Sequence, residues 1–315
     1  MRGSAWVNLA LKKLSCSQKE LAIRLGVSPT QISKWKNDEH ISYQMEDKFR
    51  ELTGVGDKDP QFVLWVGSMD HADKWERIVY ELAELAAESA ETGYDTEPLR
   101  DDLARLCWST FHTLGQMGVV IPKAFPSELK MLAEGGFDDG DFESAINNPY
   151  ADLILRIFKA LNDVYGFYVA YVHELTSDDQ LDLLETGMEI ESCLMDLAAS
   201  KLNVSTDIAP NFSSFRYETL KAYEEWVGSV KTTALRLGVP VRAELLDLVH
   251  KGHDALGFNA EAESLGVNER RIHPDIYMNE LLVGMRALHQ VLPVIVKKLG
   301  ITPEELNFDV SELSA

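Results

Sequence analysis

Two helix starts and a helix stop are written into residues 17 to 37, SQKELAIRLGVSPTQISKWKN, and they leave this stretch little choice of local fold. Ser17 is placed to cap a helix, and Glu20, three residues on, to close a capping box. Leu21, Ala22 and Leu25 share one face at i, i+1 and i+4, the spacing by which a short helix buries one side. Gly26 supplies the permissive backbone at the helix stop, with Val27 as the apolar anchor of a Schellman-type end. Ser28 is a second N-cap, and Pro29 occupies the first helical position, where proline is tolerated. The next helix turns Ile32 and Trp35 inward and leaves Thr30, Gln31, Ser33 and Lys34 outside. Two short helices joined this tightly, the second with a polar and basic outer face, have the geometry that enters a DNA major groove.

The segment resembles the Cro/C1-type (xenobiotic-response-element, XRE) helix-turn-helix family. The family pattern recurs at Gln18, Glu20, Leu21, Ala22, Leu25, Gly26, Val27, Ser28, Ile32, Ser33, Trp35 and Asn37. A leading stripe of Trp6, Leu9, Ala10 and Leu14 completes the small bundle, with a trailing stripe of Met45, Phe49 and Leu52 after a cap at Ser42. The resemblance covers about residues 4 to 55, less than a fifth of the chain. Two positions depart from it. Lys36 stands where the family usually has an acidic residue, which favours phosphate binding. Pro29 fills a slot that the family often uses for a base contact, which counts against direct readout there.

The resemblance implies a partner, double-stranded DNA, and a division of labour among the exposed residues. Lys34, Ser33, Thr30 and Gln31 would meet base edges, their polar groups suiting adenine or guanine. Gln18 matches the family's phosphate-clamping position; Lys19, Lys36 and Asn37 would add backbone contacts, and Ser28 joins the DNA-facing set. One reading helix spans only a few base pairs, so a homodimer on a pseudo-palindromic operator is expected, most simply as a repressor.

The net charge of the chain, −21, taken as a whole opposes this. Its distribution removes the objection. Residues 1 to 58 hold 10 Lys and Arg against 7 Asp and Glu, whereas the remainder holds 20 against 44. Within residues 1 to 41 the count is 7 basic to 3 acidic, so the excess sits on the reader. A local positive face on an acidic body confines DNA contact to one surface.

At 315 residues, two domains are expected: 1–56, the DNA-binding bundle, and 57–315, an acidic all-helical domain. The boundary falls in Thr53 to Gln61, where two glycines, a proline and alternating charges interrupt the periodicity. Cys16, Cys107 and Cys193 are odd in number and far apart, without a CxxC pair, which suits a reducing cytosol. The N-terminus runs straight into an amphipathic helix holding Lys12 and Lys13, so no signal peptide is expected. The most apolar run, Val164 to Val172, is far too short for a membrane span.

Beyond the boundary the periodicity is helical almost throughout, and the fold class expected is all-α. Trp75, Ile78, Val79 and Leu82 form one stripe, and Leu99, Leu103, Leu106, Cys107 and Leu114 another. Residues 118 to 148 read mostly as loop, and a long apolar helix follows from Pro149 to about Leu175. Ser177 opens a further helix carrying Leu181, Leu184, Met188 and Met195. Two later helices have coiled-coil spacing. Leu220, Tyr223, Val227, Val230, Ala234 and Leu237 step 3-4-3-4-3, and Leu281, Met285, Leu288, Leu292, Ile295 and Leu299 step 4-3-4-3-4. Packing within one bundle explains both; a dimer interface is the alternative, with Pro293 opposing a long continuous coiled coil. Leu-Gly-Val at 237–239 and 265–267 and Leu-Gly-Ile at 299–301 read as helix stops. Pro274 cuts short the helix after the second of these, arguing against a second reader.

Signs of catalysis are thin, and neither enzyme, metal nor cofactor is expected. His250 and His253 at i and i+3 suit two metal ligands but lack a third, so they read as solvent-facing. Asp138, Asp139, Asp141 and Glu143 miss the EF-hand frame and read as a solvated loop. Arg105 and His112 resemble in spacing the active motif of HEPN-type ribonucleases, a remote alternative. Tyr165, Phe167, Tyr168 and Tyr171 either line a pocket or pack a core. The large domain is left as a binder of a peptide, small-molecule or protein effector. In the alternative reading it is an interaction module that DNA binding only localises.

Overall fold

The computed structural model describes residues 3–100, 102–134, 147–176, 190, 193–238, 241–267 and 278–300. The fold is all-α, and among the described residues there is no β-strand. The first four helices are α1 (Gly3–Leu14), α2 (Gln18–Leu25), α3 (Pro29–Lys36) and α4 (Tyr43–Thr53). Their shared core is aromatic. Trp6 lies 6.1 Å from Phe49, and Trp35 meets Phe49 edge-on at 6.0 Å, with Leu9, Leu21, Leu25 and Ile32 buried around them. These are the side chains that the leading, central and trailing stripes point inward. Ser42 has N-cap backbone angles but makes no side-chain cap bond.

Gly54 and Gly56 carry the chain out of α4 in left-handed conformations, at φ +54° and +62°. Asp59 then caps α5 (Pro60–Val66), accepting from Gln61 N–H at 2.7 Å and Phe62 N–H at 3.0 Å, with Pro60 as its first residue. The helical pattern breaks across this segment, yet the packing does not. α5 lies against α1 on one side and against α6 (Met69–Glu88) and α8 (Leu103–Gln116) on the other. Phe62 meets Phe111 of α8 edge-on at 5.0 Å, and Lys12 of α1 donates to Gly67 O at 2.9 Å. One continuous apolar core therefore runs from Trp6 to Leu256.

A short α7 (Glu97–Arg100) precedes α8, and a 3-10 turn leads into α9 (Lys130–Glu134) inside the stretch expected to be mostly loop. Leu129 and Leu132 anchor that turn and helix in the core. The centre of the body is α10 (Pro149–Tyr171), capped by Asn148, which accepts from Tyr150 N–H at 3.0 Å. It ends four residues before Leu175, and α11 (His173–Thr176) follows. Most of α10 is buried, Tyr165, Phe167, Tyr168 and Tyr171 included, so that aromatic group packs the core. Its one buried amide is satisfied: Asn162 donates to Ala86 O at 2.7 Å and accepts from Thr96 Oγ1 at 2.7 Å. Around it pack α6, α12 (Leu194–Ser200) and α15 (His253–Ser264).

α13 (Phe212–Leu237) rests on α12 and α14 (Asp247–His250), and buries Tyr223, Val227, Val230 and Ala234 of the first seam while leaving Leu237 exposed. The second seam belongs to α16 (Met278–Leu299), which meets the body at α13. Gly238, Gly266 and Gly300 stand in left-handed conformations at the ends of α13, α15 and α16, as helix stops. The acidic loop 135–146, the helix expected after Ser177 and the residues around Pro274 lie outside the described residues. Among the described residues no helix is long and apolar enough to cross a membrane.

Candidate nucleic-acid interface

The turn between α2 and α3 is built from short-range bonds alone. Ser17 N–H donates to Glu20 Oε2 at 2.7 Å, and Glu20 N–H donates back to Ser17 Oγ at 3.3 Å, closing the capping box. The Ser17 backbone N–H, with the Ser17 hydroxyl, holds the Glu20 carboxyl below its usual range, and Arg24 one turn on adds to the effect. At the other end Gly26 takes φ +70°. Its N–H reaches Ile23 O at 3.2 Å and the Val27 N–H reaches Ala22 O at 3.0 Å, the paired bonds of a Schellman end. Ser28 then caps α3 by accepting from Gln31 N–H at 3.2 Å.

Ile32 and Trp35 pin α3 to the core, and its outer face carries Thr30, Ser33, Lys34, Lys36 and the C-cap Asn37, all exposed. Ser28 and Lys19 are exposed beside them. Gln18 at the start of α2 and Gln31 in α3 are half-buried, so Gln31 is less free than its sequence position suggests. Its α-helical neighbours on the inner side are Ile32 and Trp35, which draw that flank of α3 toward the core.

Two acidic residues just past α3 would oppose a polyanion, and the fold occupies both. Asp38 takes φ +67°, tolerable for a short polar side chain, and its carboxylate accepts from the backbone N–H of Ser4 at 3.4 Å and from the Ser4 hydroxyl. It thus sits at the start of α1, where the helix has N–H groups to spare. Glu39 pairs with Lys34 at 3.6 Å, both side chains about half exposed (51% and 53%). The approach of α1 to the end of α3 also explains Gly3, where a Cβ would meet Glu39 O at 2.7 Å and Trp35 O at 2.8 Å. Sequence reasoning missed Asp38, Glu39 and Ser4 because their pairing spans the first and third helices. It also missed Arg24, an exposed cation one turn past Glu20, though its place in the exposed i+4 row was visible.

The other candidate groups fall elsewhere. His253 is not solvent-facing: its Nδ1 lies 2.7 Å from Asp163 Oδ2 and 3.3 Å from Asp254 Oδ1, at the first turn of α15 against α10. The physical reason is that α15 packs on α10 and brings its N-terminal residue to a carboxylate 90 positions away. The Asp163 hydrogen bond raises the imidazole pKa, with burial and nearby Lys201 opposing and Asp254 assisting. His253, Asp163 and Asp254 have ligand atoms within 4.8 Å of one another, and His250 is not among them. A metal would have to break the short His253–Asp163 contact, so the arrangement works as a charge-assisted clasp between two helices. Burial pushes the Lys201 ammonium down to about 8, and it donates to Lys251 O at 2.6 Å.

Of the ribonuclease-like pair, Arg105 is exposed, and His112 stacks on Trp108 with ring centroids 4.7 Å apart and its Nε2 2.7 Å from Gln116 Nε2. A shallow pocket on the body is lined by Gly118, Val120, Pro149, Tyr150, Asp207, Ile208 and Pro210. Comparison with protein-family models, with curated proteins and with solved structures finds no match to this chain.

Proposed function

We propose that this chain is a sequence-specific DNA-binding regulator, most simply a repressor. Its α2–α3 pair works in the manner of a Cro/C1-type helix-turn-helix, and two copies act on a pseudo-palindromic operator. The observation that carries the reading is α3 itself. It is capped at its start, held by two buried side chains, and shows an unbroken polar and basic outer face of Thr30, Ser33, Lys34, Lys36 and Asn37. The hold of Ser4 on Asp38 supports it further, since that carboxylate is turned to the start of α1.

In this reading Thr30, Ser33 and Lys34 meet base edges, and Gln31 contributes through its exposed part. Gln18, Lys19, Ser28, Lys36 and Asn37 contact the sugar-phosphate backbone, which positions the reader without specifying sequence. The acidic body senses an effector or partner and repels DNA away from the reader.

The test is selection of binding sites from random duplexes by the full-length protein, over a salt series. A recovered site with two-fold symmetry and half-sites about one helical turn apart is the expected result. Lys34→Ala should then relax preference at one base pair, costing about 1–3 kcal/mol there. Lys19→Ala should weaken all sequences alike and reduce the salt slope by about one. Recovery of no sequence preference at any salt concentration sinks the proposal.

A further inference from the structure

We propose that α5 locks the α1–α4 bundle and the body into one cooperative unit, so that α3 is held at a fixed orientation to the body and neither part opens without the other. The division expected at 53–61 implies a tether, and tethers between independent domains are exposed and make few contacts. Here the connection is held along almost its whole length. Val55 is buried, and the Gly56 carbonyl accepts from Arg50, whose guanidinium lies 5.0 Å from the Trp6 ring centroid. Lys58 reaches across to α6, pairing with Asp73 at 3.1 Å and with Glu76. Asp59 caps α5, and at the far end Lys12 holds the Gly67 carbonyl. Ser68 caps α6 by accepting from His71 N–H at 3.1 Å, and His71 Nδ1 lies 3.1 Å from Val66 O. Gly67 and Ser68 alone separate α5 from α6.

The helix itself belongs to both cores. With seven residues it is too short to stand alone, and it buries Pro60, Phe62, Val63 and Val66. Phe62 and Trp65, three apart and so on one face, turn toward α8. Phe62 meets Phe111, which in turn meets Trp75 of α6 edge-on at 5.4 Å, and Trp65 lies 6.4 Å from Trp108 and 6.1 Å from His112. On the opposite side, α1 packs on α5 as extensively as it packs on α3 or α4.

That last observation decides between a lock and a tether. Pulling the bundle off α5 disrupts packing as extensive as pulling α1 out of its own bundle. Pulling α5 off the body breaks the aromatic chain from Phe62 to Trp75 and the Lys58 pairs. Neither flank of α5 is a weaker seam than the interior of the bundle, and separate opening needs a weaker seam. The lock does not depend on what the bundle binds. Where the DNA-binding reading holds, a duplex seated on α3 stabilises the body as well, because the two share one unfolding equilibrium.

The experiment is native-state hydrogen exchange of the full-length protein, read by mass spectrometry on peptides from α1 and α10. The probe is Ile32→Val, a buried position on α3, outside α5. Loss of one core methyl group speeds exchange through any opening that unfolds α3 by about two- to tenfold. In the wild type the slowest amides of α1 and of α10 should share one opening equilibrium, and Ile32→Val should speed both by the same factor. Phe62→Leu, a smaller cavity than alanine would leave, should also speed both. A response of α1 alone to Ile32→Val overturns the proposal. So does a wild-type α1 that opens on the order of tenfold more often than α10, as a separate unit would.

A second measurement rests on the DNA-binding reading. A duplex recovered by selection, added at about 100 times its Kd, should slow the slowest amides of α10 about 100-fold, together with those of α1. Slowing confined to α1–α4 overturns the lock. Recovery of no duplex removes the regulator reading and leaves the lock to be decided by Ile32→Val, so the two fail separately.

Discussion

Gly257→Ala should loosen the clasp between α10 and α15 and remove its pH dependence. A Cβ at Gly257 would sit 2.2 Å from Asp163 Oδ1, 2.7 Å from its Cγ and 3.1 Å from its Cβ. Swinging the carboxylate tip aside is not enough, because the root of the side chain is crowded too. The Asp163 side chain must turn, and its 2.7 Å bond to His253 Nδ1 is lost. A hydrogen bond to a charged group contributes about 1.5–3 kcal/mol, and both side chains are about a quarter exposed (24% and 26%), which puts this one at the lower end. Replacing glycine by alanine inside a helix returns up to about 1 kcal/mol. The balance is a loss of about 1 kcal/mol, or more if α15 shifts on α10.

The sign of the pH effect follows from the raised His253 pKa, whose largest cause is the Asp163 bond. Such a group stabilises the fold fully below its unfolded value, and the contribution fades as pH rises through the folded value. Asp254 acts in the same direction and Lys201 against it. Urea unfolding followed by tryptophan fluorescence, at about pH 6 and about pH 8.5, measures this directly. Wild type should exceed Gly257→Ala at the lower pH, and the gap should narrow at the higher. Asp163→Asn should narrow it in the same way. A Gly257→Ala protein as stable as wild type at about pH 6, or a gap independent of pH, refutes the reasoning.

Ser17→Ala removes the acceptor for Glu20 N–H and opens the capping box, and should cost about 1 kcal/mol in a urea titration. DNA affinity should then fall only under conditions where the protein begins to unfold. Glu39→Gln releases Lys34 from an exposed pair of the kind worth about 0.2–1 kcal/mol, and should tighten DNA binding by up to about fivefold in a fluorescence-anisotropy titration; weaker binding would mean that Glu39 positions the lysine instead. Cys107 is buried and its thiol is pushed far up by desolvation, whereas Cys16 and Cys193 are half-buried. Alkylation of the native protein followed by mass spectrometry should modify Cys16 and Cys193 and spare Cys107 until denaturant is added.

The ends of α2 and α3 were legible because their causes lie within five residues of each other. Ser17 with Glu20, Gly26 with Val27, and Ser28 with Pro29 each act on the nearest turn of backbone, and the structure forms the capping box, the helix stop and the second N-cap. The long helix starting at Pro149 was legible for the same reason, through Asn148 and the proline at its first position. Legibility falls off where the partner is distant. The interruption at 53–61 is present in the backbone, but no periodicity shows that α5 bridges α1 to α6 and α8 through Phe62 and Phe111.

The candidate interface divides along the same line. Which side chains of α3 face outward followed from 3.6-residue spacing around Ile32 and Trp35, although Gln31 proved half-buried. That Asp38 meets Ser4, that Glu39 meets Lys34, and that His253 meets Asp163 across 90 residues required the packed molecule. Two seams of nearly equal spacing make the sharpest contrast. Sequence alone determined that α13 and α16 are amphipathic helices with an apolar stripe, because a stripe is a property of one helix. Only the tertiary structure decided that, among the described residues, the stripe of α13 is largely covered and Met285 to Leu299 of α16 are exposed, because cover depends on which other surfaces arrive there, and apolar burial carries no direction that a single helix could encode.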